Sequence, residues 1–303
     1  MDSYIEVECP VCNTRSVEYL CKYPGLFYNC HSIVKCNECS HVFVDEIPGE
    51  AELREYYNSG QYYDSSNNVF SREYTDFSYK LASSRIDLIS QHSEILSKPI
   101  KILDVGAGNG IFGKAIKDKY CKIIYDVIEP DKSILKRHGN WVDSSFCDVL
   151  SSPHREYDLV VLNQVLEHIA NPRRFLLSII EKMAFGGYIY IDVPLNDYLF
   201  KPDVSPHLHF WNPDSVAALI TEGKINIIYC DSAGMVRKQA EKYFAKKTLF
   251  AKLTSTWVHK NQINKFLSYI RSPYLINTFG QFQATQYGGD RQWLRCLARK
   301  IDN

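Results

Sequence analysis

No run of about 18 consecutive apolar residues occurs in the 303-residue sequence, which argues against a membrane-spanning helix. The opening residues, MDSYIEVEC, lack the basic and apolar segments of a secretory leader. An excess of charge of either sign is also missing, since 35 basic residues stand against 35 acidic ones. A neutral chain has no global positive field with which to hold a nucleic acid, so only a local patch remains for that purpose. No internal repeat and no low-complexity tract is present. Cysteine, by contrast, is plentiful at ten residues. Without an export signal these are expected as reduced thiols or metal ligands rather than disulfides. The expectation is a cytoplasmic protein whose length buries one large core and carries a smaller appended module.

Four of the cysteines form two Cys-x-x-Cys pairs, Cys9 with Cys12 and Cys36 with Cys39. Redox pairs belong beside a thioredoxin-like strand and helix, and neither pair has that context. Two such turns flanking a short β-like stretch fit a zinc ribbon instead, because Zn²⁺ takes four thiolates tetrahedrally and each turn supplies two. Cys21, Cys30, His31 and His41 lie in the same stretch as alternative ligands. A closed four-thiolate site has no open coordination position, so a structural Zn²⁺ is expected.

The chain divides by rhythm into residues 1–48, the zinc-ribbon module, residues 49–98, a helical and tyrosine-rich linker, and residues 99–303. Within the linker, Phe77, Leu81, Ile86 and Ile89 recur at helical spacing. From residue 100, the short apolar runs IKILDV, CKIIYDVIE, YDLVVLNQV, GGYIYIDVP and KINIIYCDS alternate with amphipathic segments. That alternation predicts a parallel sheet with helices on both faces. One helix start is explicit, with Asn171 as cap, Pro172 at the first position, and Gly186-Gly187 as the expected stop. Residues 235–290 read as a helical, basic-aromatic insertion, after which RQWLRCLARKI reads as a last strand.

ILDVGAGNGIFGKAI places a glycine turn between a strand and a helix, where the backbone can approach a ligand closely. Gly108, Gly110 and Gly113 satisfy the dinucleotide pattern G-x-G-x-x-G, with Glu129 about twenty residues further on. An NAD-dependent oxidoreductase is therefore one reading of the turn. Against it, Asp104 lies inside the strand, and Gly106, Gly108 and Gly110 give D-x-G-x-G-x-G. Asp148 follows a third strand, and a fourth ends in Asn163 and Gln164.

This set resembles the class I S-adenosylmethionine-dependent methyltransferases over residues 100–235. The resemblance implies an α/β Rossmann-like fold, a seven-stranded sheet that is parallel apart from one antiparallel strand. It implies that Asp104, Gly106, Gly108 and Gly110 cradle the methionine part of S-adenosylmethionine. Glu129 would bind the ribose hydroxyls, Asp148 the adenine amino group, and Asn163 and Gln164 would flank the methyl donor. A carboxylate suits the ribose, since it accepts from two adjacent hydroxyls. The stretch KCNECSHVFVDEIPGEAELREYYNSGQYYD is similar to bacterial methyltransferases in which a zinc ribbon precedes the catalytic domain. That group implies an acceptor in polysaccharide or modified-sugar biosynthesis, with nucleic acid as an unlikely partner.

A sugar hydroxyl needs a base, and histidine titrates in the useful range. SPHLHFWNPDS follows the fifth strand and offers His209 and His207, with His168 of VLEHI as a third candidate. The loop partly resembles the Tyr-His-Glu-His stretch of zinc-containing sugar C-methyltransferases, with Pro206 and Leu208 at the tyrosine and glutamate positions. The departure favours O-methylation, with His209 as the expected base. The other function classes are sugar C-methylation, an RNA methyltransferase with a zinc module, and a cofactor-binding scaffold without activity. Base amino methylation commonly uses Asn/Asp-Pro-Pro-Tyr after the fourth strand, where this chain has NQVL.

Overall fold

A computed structural model describes residues 7–59, 72–149, 151–152, 156–221, 223, 225–242, 245 and 286–301. The N-terminal strands β1 (Val17–Lys22), β2 (Ser32–Cys36) and β3 (Val42–Val44) pair in antiparallel succession. Helix α1 (Glu50–Asn58) follows, its Gly49 N–H donating to Glu52 Oε2 at 2.8 Å. Helix α2 (Arg72–His92) buries Leu81, Ile86 and Ile89 of the apolar stripe its spacing predicts, with Phe77 half-buried.

Beyond α2 the chain alternates as expected. Strand β4 (Ile100–Val105) leads to α3 (Ile111–Lys119), and β5 (Ile123–Ile128) to the short α4 (Lys132–Leu135). Strands β6 (Ser144–Phe146) and β7 (Tyr157–Asn163) precede α5 (Pro172–Ile180), β8 (Met183–Pro194) and the two-residue β9 (His209–Phe210). Helix α6 (Pro213–Thr221), β10 (Ile225–Val236) and β11 (Arg291–Lys300) complete the described elements. The large sheet has the order β10-β11-β8-β7-β4-β5-β6. Strand β11 is antiparallel to both neighbours while the other pairings are parallel, as the resemblance implies.

Both faces of this sheet are covered. Ile86 and Ile89 of α2 and Phe112 and Ile116 of α3 pack against Ile102, Val127 and Val161 on one side. On the other, Leu176 and Ile179 of α5 and Val216 and Leu219 of α6 pack against Leu103, Val160 and Ile191. The same apolar cluster takes in Cys9, Val11, Cys36 and Phe43, while Tyr23, Ile33, Val42, Val44 and Leu53 form a second core with Leu208 and Phe210. Burial of each such aliphatic side chain contributes about 1.5–3 kcal/mol.

Two differences from the sequence expectation have physical causes. The helix starting at Pro172 ends at Ile180 rather than at the glycine pair. Tyr157 N–H donates to the Lys182 carbonyl at 2.9 Å, drawing the chain into β8 from Met183, and Gly186 lies inside that strand at φ 70°. The N-terminal sheet has a fourth strand, β9, contributed from more than 150 residues away, through Val42↔Phe210 and Phe43↔His209. Of the insertion expected over 235–290, residues 237–242 and 245 are helical and residues 286–290 are described; most of it, like the tyrosine-rich stretch at 60–71, lies outside the described residues.

One buried ion cluster ties α2, β8 and β11 together. Asp192 Oδ2 accepts from Arg85 Nε at 2.9 Å and from Arg295 Nε at 3.0 Å. Burial alone would raise the Asp192 carboxyl, but the two guanidiniums outweigh it and hold the group below its ordinary range. Removing one partner of a buried set leaves uncompensated charge. Asp192→Asn is expected to destabilise the chain by about 3–5 kcal/mol in urea unfolding, since two buried guanidiniums lose their counter-charge.

Candidate functional site

The site lies at the carboxyl ends of β4, β5, β7 and β8, the crevice where open α/β sheets take ligands. After β4 the backbone turns through Gly106, Gly108 and Gly110, at φ 69°, 53° and 70°. Those are left-handed values that glycine adopts without strain. A Cβ on Gly106 would meet Val165 Cγ2 at 2.7 Å, so the segment after β7 presses directly on the turn. Glu129, just past β5, has Oε2 accepting from Gly108 N–H at 2.9 Å and Oε1 from Asp131 N–H at 3.0 Å. The carboxylate thus braces the turn.

Asp104 is buried at the end of β4, and its Oδ2 accepts from Tyr125 Oη. Burial pushes its carboxyl up to about 7, against the opposing pull of that hydrogen bond and of Arg85. Asp148 is exposed in the turn after β6, where Oδ1 accepts from Ser151 N–H at 2.8 Å. Asn163 ends β7 with a buried Oδ1 that has no hydrogen-bond partner. Gln164 follows at φ 57°, a conformation costly for a residue with a side chain. Its Nε2 donates to Asp192 Oδ1 at 2.8 Å, so the Arg85–Asp192–Arg295 cluster holds the segment in place.

Sequence reasoning missed two neighbours of the glycine turn. His138 Nε2 donates to the Gly108 carbonyl at 2.7 Å, and both His138 and Trp141 come within 3.2 Å of a Cβ built on Gly110. Their only local signal is the turn-forming Gly139-Asn140 between them.

The three histidines are not equivalent. His209 is fully buried, with Nδ1 3.0 Å from His41 Nε2 and Nε2 2.7 Å from the Ile169 carbonyl. The carbonyl can only accept, so His209 Nε2 carries the proton and Nδ1 accepts from His41. Burial lowers its pKa to about 4. No lone pair on His209 faces a ligand in this geometry, which differs from the expectation that it takes a proton. His168 and His207 instead meet edge to face at 4.9 Å between ring centroids, and burial lowers both of their pKa values. His207 Nδ1 lies 2.9 Å from Asp197 Oδ2, which Lys201 Nζ also meets at 2.7 Å. Glu167, absent from the sequence candidates, lies beside them fully buried with neither carboxyl oxygen hydrogen-bonded. Burial pushes its carboxyl up to about 8.

The N-terminal strands present this loop. Val44 N–H donates to the Leu208 carbonyl at 3.0 Å and Tyr23 Oη to the His207 carbonyl at 3.2 Å. Leu208 N–H donates in turn to the Glu167 carbonyl at 2.8 Å.

The four ribbon cysteines converge. Cys9 and Cys39 Sγ lie 3.6 Å apart, Cys12 and Cys36 Sγ lie 3.5 Å apart, and all four fall within 4.8 Å of one another. Zn–S bonds of about 2.3 Å in a tetrahedron put sulfurs about 3.8 Å apart, so the donor set fits that ion. Each turn closes alike, with a left-handed residue, Asn13 or Ser40, directly after its second cysteine. Of the alternative ligands, His41 is bonded to His209, and Cys30 Sγ faces the Glu46 carbonyl at 3.4 Å.

A methyltransferase-domain family model matches residues 75–262, more than half of the chain. The ubiquinone biosynthesis O-methyltransferase of Rickettsia canadensis is 26% identical over 114 residues, covering 35% of this chain and 47% of that protein. The tRNA1(Val) (adenine(37)-N6)-methyltransferase of Flavobacterium psychrophilum is 28% identical over 88 residues, 25% of this chain and 38% of that protein. The chain spans about half the length, or less, of the curated relatives it matches. Among solved structures, an S-adenosylmethionine-dependent methyltransferase from Archaeoglobus fulgidus aligns with TM-score 0.47 at 16% identity, covering 79% of this chain and all of that one.

Two outcomes follow from this geometry. Elemental analysis is expected to find one zinc per chain, and a folded sample with far less would refute the ribbon ligands. For Asp104, a raised carboxyl means that folding favours the protonated form. The ligand-free chain therefore loses stability as pH rises from the ordinary carboxyl value of 3.8 through about 7. Asp104→Asn keeps an acceptor for Tyr125 and should flatten that part of the urea-unfolding profile between pH 4 and 7; an unchanged profile would show that Asp104 ionises without cost.

Proposed function

Because the chain belongs to the methyltransferase-domain family, we propose that this S-adenosylmethionine-dependent methyltransferase methylates a hydroxyl oxygen on a sugar, nucleotide sugar or glycan. The observation that carries the reading is the gathering of Glu167, His168 and His207 next to Asn163 and Gln164. Those groups come together only because the strands around the four cysteines hold the 204–210 loop against the turn after β7. Oxygen as acceptor atom agrees with the ubiquinone biosynthesis O-methyltransferase that the chain resembles, and a sugar agrees with the resemblance of the cysteine-rich N-terminus to sugar-modifying methyltransferases.

S-Adenosylmethionine supplies an electrophilic methyl group on a sulfonium. The chain positions it: the glycine turn and Glu129 receive the methionine and ribose parts, with Asp148 toward the adenine. Asn163 and Gln164 would flank the methyl donor and keep the acceptor's approach in line. When bound, the cofactor would supply its methyl group to the acceptor oxygen and keep its sulfur as a neutral thioether. The hydroxyl proton is lost beside the Glu167–His168–His207 cluster. His209 acts on the loop's position, through its bonds to His41 and Ile169. Zn²⁺ on Cys9, Cys12, Cys36 and Cys39 would secure the strands from which the loop hangs.

The test compares two histidines with sugar nucleotides as acceptors and mass spectrometry as readout. His207→Gln is expected to lower methyl transfer by about 10²–10⁴ while the demethylated cofactor binds within about twofold in calorimetry. His209→Ala should lower the thermal midpoint, by about 1–3 kcal/mol of lost bonding, with activity returning on cooling. Full turnover by His207→Gln would sink the assignment. Methylation of a nitrogen or a tRNA, with no sugar accepted, would move the acceptor to another class.

A further inference from the structure

We propose that Glu167, His168 and His207 form a second metal site, which holds a divalent transition-metal cation by two imidazoles and one carboxylate. The inference rests on the reading of this crevice as the place of acceptor activation, and it specifies the means. One ligand atom from each residue lies within 4.8 Å of the other two. Two of the residues stand in the turn Leu166–His168 and the third in the loop before β9. The hydrogen bond from Leu208 N–H to the Glu167 carbonyl, 2.8 Å, clamps these segments together.

Three further features point to a cation. Glu167 is fully buried and neither of its oxygens has a hydrogen-bond partner. A buried carboxylate left in that state is costly, and metal coordination is one of the few ways to satisfy it. The nearest ammonium, Lys201, lies instead against Asp197 at 2.7 Å. His207 has its Nδ1 2.9 Å from the Asp197 carboxylate, the carboxylate–histidine pairing that accompanies metal-binding imidazoles and favours a proton on Nδ1 with the Nε2 lone pair left for a ligand. His168 is held in the same manner, one ring nitrogen donating to the Pro206 carbonyl.

The donor set defines the ion's class. Two imidazoles and a carboxylate suit Zn²⁺, Fe²⁺, Co²⁺, Ni²⁺ or Mn²⁺, whereas Mg²⁺ and Ca²⁺ prefer oxygen throughout. Three protein ligands leave positions open, in contrast to the closed four-cysteine set. An acceptor hydroxyl bound there becomes acidic, as a metal-bound water does when its pKa falls from about 15.7 to about 7. Its proton then passes to water rather than to a free imidazole.

Equilibrium dialysis of the full chain against Co²⁺, after mild chelation that spares thiolate-bound zinc, tests the site. The expected result is one Co²⁺ per chain beyond the zinc, with the weak visible absorption of nitrogen and oxygen ligands. Glu167→Gln and His207→Gln should each weaken Co²⁺ binding at least about tenfold, and Asp197→Asn about 10–100-fold, with zinc content unchanged as the control for folding. No Co²⁺ bound by the wild type up to millimolar concentration would overturn the proposal, as would equal binding by folded Glu167→Gln and His207→Gln. The assay contains neither methyl donor nor acceptor. Methyl transfer to sugars without Co²⁺ binding therefore removes the metal site alone, and Co²⁺ binding without sugar methylation removes the acceptor reading alone.

Discussion

The pairing of β3 with β9 involves two residue pairs, Val42↔Phe210 and Phe43↔His209, yet the site depends on it. Strand β9 has only two residues and, without β3, would be a loop with unpaired backbone groups. With β3 it becomes the edge of a sheet whose far end is closed by four cysteines. The loop before it is thereby aimed at the turn after β7, and His207 comes against His168 and Glu167. The buried His41–His209 contact and the Asn212 Nδ2 bond to the Ser40 carbonyl, 2.8 Å, reinforce the same junction. The N-terminal strands thus act as one wall of the crevice.

The buried charges fall into two groups. Asp192 is fully compensated by Arg85 and Arg295, and it serves as framework by holding Gln164 in its left-handed conformation. Asp104 and Glu167 are under-compensated, and burial raises both carboxyls toward neutrality. Groups kept in that condition cluster at ligand sites, where a substrate, cofactor or ion supplies what the chain withholds. Both line the crevice at the strand ends, one beside the glycine turn and one beside the histidines.

Much of this was legible in the residues. The five apolar runs from IKILDV to KINIIYCDS became β4, β5, β7, β8 and β10, and the first four are buried strands with parallel neighbours, which leave continuous apolar runs. The glycine turn and the cysteine pairs were legible for a related reason: spacing within a few residues dictates their geometry. What escaped was long-range. His41 and His209 are 168 residues apart, and nothing local to either announces that they consume each other's ring nitrogens. The ranking of the histidines depended on that contact. Glu167 was passed over because VLEH reads as an ordinary apolar turn until the loop of residues 204–210 closes over it. The Asp192 cluster joins three elements distant in sequence and has no motif at all.

The separation between β3 and β9 also sets an order of assembly. During synthesis, residues 42–44 leave the ribosome well before their partner at 209–210. Translation at about 5–20 residues per second makes that a wait of about ten to thirty seconds. Through that interval the exposed edge of β3, with Val42, Phe43 and Val44, is a nascent strand without its neighbour and open to pairing with another chain. A metal taken up early by Cys9, Cys12, Cys36 and Cys39 would hold the first three strands in register during the wait. On this account, how much intact enzyme a cell accumulates depends on metal supply while the chain is being made, as well as on the stability of the finished protein.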